Sequence, residues 1–242
     1  MERNRNYIYP DKDSLVAAFV REFQRSLKVY SEQGKSMHIA LSGGSTPLTI
    51  FRQLAELTSR KDWANVQLYW GDERCVPPGN RESNYGNAWQ SLLEPLQLKP
   101  EQIHRIRGEE NPAEEARGYG DMLRKHLPQE NSFPVFDWIW LGLGEDGHTA
   151  SIFPQQIELW TSGSPCIVTS QPVTGQTRIS ISGGVINAAK RVSFIASGGE
   201  KATIIKEIFL KEGRYMEYPA FYVKPTSGKL EWYLDQNAAS LL

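Results

Sequence analysis

The sequence predicts an α/β protein built on a mostly parallel sheet with helices on both faces. Segments with apolar residues at helical spacing alternate with short apolar strands along the chain, which is typical of this class. Residues 136–143 are almost wholly apolar, as expected of a central parallel strand that is buried on both faces. Polar, glycine-rich segments follow several strands, and ligands of open α/β sheets bind beyond the carboxyl ends of strands.

Helices of the first half are predicted from apolar residues at helical spacing, and strands from short apolar runs. In chain order, the predicted elements are a helix over 15–30, a strand at 37–41, a helix over 47–57, a strand at 66–70 and a helix over 85–96. Pro47 suits a first helical turn. Asn111 and Pro112, followed by Glu114 and Glu115, are a cap, a first-turn proline and the acids that favour a helix start.

The second half contains more strands than helices. The predicted elements are strands at 136–143, 178–182, 191–196, 219–223 and 230–234, with a helix over 201–210. The chain shows no internal repeat, low-complexity tract or linker rich in proline and serine. We therefore expect one domain over residues 1–242.

Composition narrows the possible partners and the compartment. With 27 basic and 28 acidic residues the net charge is −1, which argues against a nucleic-acid or membrane-surface binder. Cys75 and Cys166 form no metal-ligand pattern, so a reducing compartment is expected. The sequence shows no secretory signal and no apolar run of about 18 residues that would cross a membrane. We expect a cytoplasmic protein, either a monomer or a homodimer.

A serine- and glycine-rich turn between a predicted strand and a predicted helix is the first candidate binding segment. It consists of Ser42, Gly43, Gly44, Ser45 and Thr46. Glycines let the backbone turn its N–H groups toward a ligand, and a helix N-terminus favours an anion. The segment could therefore hold a phosphate, although it lacks the Gly-Lys-Ser/Thr of a nucleotide-binding P-loop.

Two further segments carry candidate catalytic side chains. Residues 71–74 set Asp72 and its neighbouring glutamate beside Arg74 at a strand end, where an arginine can bind a phosphate or carboxylate. Residues 141–149 contain a literal GxGxxG, but Pro154 interrupts the helix that a dinucleotide-binding unit needs. We interpret these glycines as exposing Asp146 and His148, a pair suited to taking a proton from water.

A fourth segment, residues 197–201, again follows a strand and opens a helix. Its Lys201, together with Arg178 on an earlier strand, could supply the positive charges that a phosphate dianion needs. No GxSxG elbow and no HExxH motif is present, and the four histidines are scattered along the chain, so no metal site is expected. The remaining groups suit attack of water on an activated carbonyl of a phosphorylated substrate.

Five blocks, in the same order, resemble the 6-phosphogluconolactonase family. They are LSGGSTP (41–47), WGDERCVPP with RESNYG (70–86), GLGEDGHTASIFP (142–154), TRISI (177–181) and GGEKA (198–202). The GEDGHTASIFP block is the most specific. The resemblance implies a Rossmann-like three-layer α/β/α fold with a mostly parallel open sheet, shared with sugar-phosphate isomerases and deaminases.

The resemblance also implies a reaction and a role for each candidate residue. The reaction is hydrolysis of 6-phosphogluconolactone to 6-phosphogluconate in the oxidative pentose phosphate pathway, without a cofactor. His148 would be the base that activates water, and Asp146 would orient it. Asp72 and Arg74 would line the substrate site, while residues 42–46, Arg178 and Lys201 would hold the phosphate.

Two other functions remain open from the sequence. A glucosamine-6-phosphate deaminase typically carries Asp-Glu-Tyr where this chain has residues 72–74, and Asn-Glu-Pro where it has residues 151–154. A non-catalytic sugar-phosphate sensor would carry a helix-turn-helix segment. The residues before the first predicted strand indicate one amphipathic helix and no basic excess.

Overall fold

Seven parallel strands form the central sheet in the computed structural model, which describes residues 4–242. The first three residues of the expected 1–242 domain lie outside this range. With those of two smaller sheets, β4-β10-β9 and β6-β7, the strands in residues 4–242 number twelve: β1 (Asn4–Tyr9), β2 (Met37–Leu41), β3 (Val66–Trp70), β4 (Asp72–Arg74), β5 (Ile103–His104), β6 (Gln129–Glu130), β7 (Phe133–Pro134), β8 (Trp138–Leu141), β9 (Cys166–Ser170), β10 (Thr177–Ile181), β11 (Arg191–Ala196) and β12 (Lys229–Asp235). The helices are α1 (Lys12–Glu32), α2 (Ser45–Leu57), α3 (Asn84–Ala88), α4 (Pro112–His126), α5 (Gly183–Ala188) and α6 (Ala202–Leu210).

The strand order of the central sheet creates one crevice at its middle. The order is β1-β12-β11-β8-β2-β3-β5, with every neighbouring pair parallel. From β2 the chain proceeds through β3 to β5 on one side, and from β8 through β11 to β12 on the other. The switch in direction falls between β2 and β8, and such a switch point opens a ligand crevice at the carboxyl ends of the strands. The protein is thus a three-layer α/β protein with a mostly parallel sheet, as predicted.

Local sequence signals explain where the longer helices begin. Asp11 caps α1 by accepting a hydrogen bond from the backbone N–H of Ser14 at 2.7 Å. Asn111 caps α4 in the same way, followed by a first-turn proline and two acids, as the sequence predicted. Residues 85–96 form less regular helix than predicted, because α3 passes into a π-helical turn at Trp89–Leu93.

Aromatic side chains from α1, α2 and β8 form the centre of the core. Phe19 and Phe23 meet Trp140 edge-on at 4.9 and 5.2 Å between ring centroids, and Phe51 stacks on it at 6.1 Å. All four rings are almost completely buried. This packing fixes β8, from which the loop with His148 emerges. No helix among residues 4–242 is long and apolar enough to cross a membrane.

Two predictions about the elements are wrong, and one predicted strand forms but lies in a different sheet from the one expected. The predicted strand at 219–223 is a 3₁₀ helix, Pro219–Tyr222, whose first-turn proline lacks the N–H that a sheet strand needs. The strand predicted at 178–182 is β10, but it pairs antiparallel with β4 and β9 in a separate three-stranded sheet. The segment before β2 holds β1 as well as α1, where the sequence predicted one helix.

The other strand predictions hold, one of them with a shorter range. The strands at 37–41, 66–70 and 191–196 have the predicted bounds, and β12 extends the predicted 230–234 by one residue at each end. The apolar run at 136–143 contributes only β8 to the sheet, although the flanking Phe136 and Leu143 are also buried. An apolar run indicates which residues are buried but not which of them pair with a neighbouring strand. The pairing of β8 ends where the chain turns into the following loop, so the strand is shorter than the apolar run.

Candidate active site

Four loops, which follow the neighbouring strands β11, β8, β2 and β3, line one cleft of about 740 Å³ at the switch point. Every residue to which the sequence assigned a binding or catalytic role lines the cleft: Ser42, Gly43, Gly44, Ser45, Thr46, Asp72, Arg74, Asp146, His148, Arg178 and Lys201. The structure therefore brings the predicted segments together. Arg178 reaches the cleft from β10 of the second sheet, a placement that the sequence did not predict.

The turn after β2 presents the N-terminus of α2 to the cleft. Gly44 has a φ of 105°, a conformation that favours glycine, and α2 begins at the next residue. Thr46 lies 3.0 Å, hydroxyl to hydroxyl, from Ser197 of the loop after β11, so the two loops touch. The first-turn N–H groups and the helix dipole make this end of the cleft favourable for an anion.

Two arginines face each other on the second sheet at the wall of the cleft. Arg74 of β4 and Arg178 of β10 are direct register partners, which places like charges side by side. The Nε atoms of both are buried and lack a hydrogen-bond partner among residues 4–242. Burial lowers the pKa of Arg178, and the charge of Arg74 lowers it further. Such a pair is best satisfied by a bound anion.

Lys201 adds a third cation from the loop after β11. Its side chain is only 16% exposed, and its Nζ lies 3.6 Å from a carboxylate oxygen of Glu145. Glu145 is largely exposed, so this contact is a weak surface ion pair. An anion in the cleft could replace the carboxylate as the partner of Lys201.

Asp72 is held in the cleft wall by two neighbours. Asp72 is only 4% exposed. The hydroxyl of Ser151 donates to its Oδ2 at 2.6 Å, and the amide of Asn84 donates to its backbone oxygen at 2.9 Å and to Oδ1 at 3.3 Å. The sequence expected both carboxylates of residues 72–73 beside Arg74. Only Asp72 lines the cleft, because Glu73 on the alternate side of β4 points away from it.

The turn after β8 joins His148 to Asp146. The Nδ1 atom of His148 lies 2.6 Å from Oδ1 of Asp146, which also accepts the backbone N–H of His148 at 3.1 Å. Burial of Asp146 raises the pKa of its carboxyl, but the hydrogen bond and charge of His148 outweigh this, so that the pKa lies below its usual value. An imidazole whose Nδ1–H donates to a carboxylate carries an acceptor nitrogen at Nε2.

Glycines make this turn possible. A Cβ at Gly144 would lie 2.1 Å from Nδ1 of His148, and one at Gly147 would lie 2.4 Å from the ring of Tyr218. Gly147 also has a φ of 82°. The glycines therefore allow the close packing that exposes the pair, and no helix for dinucleotide binding follows them.

Some contacts and some residues of the cleft were not predicted from the sequence. Asn84 and Ser151 belong to the quoted family blocks, but only the fold shows that both contact Asp72. Gln171 and Val173 line the cleft from the hairpin between β9 and β10, and Val173 is largely exposed at its mouth. No motif or apolar period marks this hairpin, so the sequence carried no signal for it.

The fold and the cleft define the chain as an open α/β protein with a candidate small-molecule site, whose cationic side chains suit an anionic ligand. A family profile described as glucosamine-6-phosphate isomerases/6-phosphogluconolactonase matches residues 10–232. The chain belongs to this family.

Individual relatives match almost the whole chain. A 6-phosphogluconolactonase of Haemophilus influenzae is 40% identical over 98% of this chain and 100% of its own length. A 6-phosphogluconolactonase of Aggregatibacter actinomycetemcomitans is 39% identical over the same shares. The solved structure of 6-phosphogluconolactonase from Trypanosoma brucei superposes with a TM-score of 0.89 at 27% identity, covering 100% of both chains.

Proposed function

We propose that the chain hydrolyses 6-phospho-D-glucono-1,5-lactone to 6-phospho-D-gluconate, a step of the oxidative pentose phosphate pathway. Relatives named 6-phosphogluconolactonase, about 40% identical over nearly the full length, support an enzyme of this kind. The observation that carries the proposal is the pairing of His148 with Asp146 at 2.6 Å in the same cleft as a set of anion-binding groups. A phosphorylated lactone needs both parts.

In this proposal the phosphate lies at the cationic end of the cleft. The N-terminus of α2, with Ser42, Gly43, Gly44, Ser45 and Thr46, would donate backbone and hydroxyl hydrogen bonds. Arg178 and Lys201 would supply full positive charges, and Arg74, across from Arg178, would reach the same phosphate or the sugar ring. When the phosphate is bound there, the lactone carbonyl faces the His148 side of the cleft. The binding energy of the phosphate thus helps to orient the reacting carbonyl.

The chemistry assigned to His148 is general base catalysis. Asp146 accepts the Nδ1–H of His148 and leaves Nε2 to take a proton from water as its oxygen attacks C1 of the lactone. The carbonyl oxygen becomes negative and the bond between C1 and the ring oxygen then breaks. The imidazolium returns its proton to the departing ring oxygen, so the histidine ends as it began. Asp72 would contact the sugar from the wall where Ser151 and Asn84 hold it.

Neither alternative function is favoured by an observation. The deaminase reaction would use the glutamate of Asn-Glu-Pro, and this chain has Ser151, Ile152 and Phe153 there, with Ser151 bonded to Asp72. A sensor with a helix-turn-helix segment finds no support in residues 4–36, which form β1 and α1. The cytoplasmic location, the single domain and the choice between monomer and homodimer stay predictions.

Direct assay with two substrates tests the proposed function. Enzymatically generated 6-phosphogluconolactone is supplied and 6-phosphogluconate is measured, with glucosamine 6-phosphate in parallel and the enzyme-free opening of the lactone subtracted. We expect product from the lactone alone. Product from glucosamine 6-phosphate alone would show that the chain is a deaminase.

A further inference from the structure

Glu73 is a buried carboxylate that forms no ion pair with any lysine, arginine or histidine among residues 4–242. It is 2% exposed, and burial raises the pKa of its carboxyl, opposed by backbone N–H donors. A buried charge without a counter-ion is costly unless several hydrogen bonds satisfy it. Its presence beside the cleft, without lining it, therefore calls for a reason.

Four donors converge on this carboxylate. Oε1 accepts the backbone N–H of Arg74 at 2.8 Å and that of Asn84 at 2.7 Å. Oε2 accepts the hydroxyl of Ser83 at 3.1 Å and the backbone N–H of Tyr85 at 2.8 Å. Glu73 thus ties β4 to the segment 82–85, in which the N-terminal end of α3 lies.

The segment 82–85 in turn holds two residues of the cleft. The backbone oxygen of Glu82 accepts a hydrogen bond from Nη1 of Arg74 at 2.8 Å. The amide of Asn84 donates to Asp72 and packs so tightly on Gly43 that a Cβ there would lie 1.8 Å from its Oδ1. One segment therefore touches two residues of the cleft wall, Asp72 and Arg74, and the candidate phosphate turn.

We propose that Glu73 is a positioning residue for the reaction, which fixes the segment 82–85 and through it the side chains of Asp72 and Arg74. The role rests on the proposed function. Glu73 itself touches no substrate. A rigid supporting network of this kind keeps cleft groups within the small tolerance that productive binding allows.

Glu73→Gln is a sharp test because the amide cannot satisfy the donors in either orientation. If its NH₂ group replaces Oε1, the N–H groups of Arg74 and Asn84 lose their acceptor. If it replaces Oε2, the hydroxyl of Ser83 can rotate but the N–H of Tyr85 cannot. At least one backbone donor is left unpaired while the side-chain volume stays the same.

We expect two effects in Glu73→Gln. Amide hydrogen exchange should accelerate in residues 82–86, and kcat/KM for the lactone should fall about ten- to a hundredfold in the folded protein. In an Arg74→Ala background the same change should cost clearly less, because part of its effect acts through Arg74. The control is Glu231→Gln, which alters another buried carboxylate, in β12 outside the cleft; it should lower stability and leave kcat/KM within about twofold.

Three results would each show that Glu73 is not a positioning residue. Unchanged exchange at 82–86, a kcat/KM equal to that of Glu231→Gln, or full additivity with Arg74→Ala would each overturn the positioning role. Turnover by the wild-type protein tests the proposed function separately, since it is measured without any variant. A wild-type protein that leaves the lactone untouched would remove the reaction, and the positioning role with it, whereas the exchange measurement would still report the network.

Discussion

The positive charge in the cleft is carried by three side chains whose hydrogen-bond and ion-pair partners in the protein leave part of their binding capacity unused. Arg74 and Arg178 are register partners, and within residues 4–242 the Nε atom of each lacks a hydrogen-bond partner. Lys201 lies in weak contact with the exposed Glu145. This arrangement is unfavourable for the empty protein and favourable for a bound dianion. At the residue scale, these three cations should therefore supply much of the binding energy for a phosphate dianion.

Lys201→Ala and Arg178→Ala should each weaken substrate binding by about ten- to a hundredfold, since each removes a charge-assisted contact worth roughly 1.5–3 kcal/mol. The weaker binding should appear mainly as a higher KM. A smaller loss in kcat is expected because the phosphate also orients the lactone. Lys206→Ala, on α6 and paired with Glu212, is the matched control and should behave as wild type. Normal binding in both cleft variants would place the phosphate elsewhere.

A second prediction at this scale concerns the pH dependence of the unfolding free energy and a histidine outside the cleft. His104 of β5 stacks on Tyr69 at 4.5 Å between ring centroids, and its Nε2 lies 2.8 Å from the side-chain oxygen of Gln67. Burial, together with charge repulsion from His126 and His38, lowers the pKa of His104 to about 4. In the unfolded chain its pKa is about 6.5, so between these values the unfolded state binds more protons.

The unfolding free energy should therefore fall as the pH drops from about 6.5 toward 4. His104 should contribute roughly 1–2 kcal/mol of this loss, less than the full shift implies because the ring is only partly buried. Denaturant unfolding of wild type and His104→Gln at pH 7 and pH 5 measures the contribution. The variant should lose less stability than wild type between the two pH values, and equal losses would refute the assignment.

At the scale of elements, the turn 144–148 shows what the sequence could and could not predict. Its glycines and its place after an apolar run indicated an exposed Asp146–His148 pair, and the structure brings the two side chains into contact. The support beneath the turn was not predictable. It comes from Tyr218, next to the segment that the sequence assigned to a strand, because an aromatic, apolar run reads equally well as a strand or as buried turn residues.

Gly147→Ala tests how tightly this turn is specified. The new Cβ would be strained at a φ of 82° and would meet the Tyr218 ring, so stability should fall by at least about 1–2 kcal/mol and turnover should drop with the displaced His148. Gly118→Ala, inside α4 with open space around its Cβ, is the control and should be neutral or slightly stabilising. Thermal unfolding and lactone turnover measure both. A fully active and stable Gly147→Ala variant would show that the turn tolerates a side chain.

At the scale of the whole molecule, the positions of the buried strands were more predictable from the sequence than the choice of strand with which each one pairs. Apolar runs located five strands of the parallel sheet, and the rule that ligands bind beyond strand ends predicted one cleft from four separate loops. The polar β1 carries little apolar signal, and β10 has the same period whether it pairs with the central sheet or with β4 and β9. Partner choice depends on contacts between residues distant in sequence, which a local period does not encode.

The chemistry proposed for the whole molecule uses no metal, a prediction that rests on the absence of a ligand motif in the sequence. Turnover of the lactone should survive exhaustive chelation without change, since the base and the anion-binding groups are all side-chain and backbone atoms. Activity before and after chelation is compared in metal-free buffer. Loss of turnover that a divalent ion restores would contradict this prediction.

The central claim, that His148 activates water in a lactonase cleft, is tested most directly by the turnover of His148→Ala. General base catalysis is typically worth 10²–10⁴-fold, so kcat should fall by that factor, or roughly 3–5 kcal/mol of barrier, after subtraction of the enzyme-free reaction. Binding of 6-phosphogluconate, followed by calorimetry, should change little because the phosphate groups of the cleft remain. Asp146→Asn should lower kcat less severely. Wild-type turnover in His148→Ala would contradict the account.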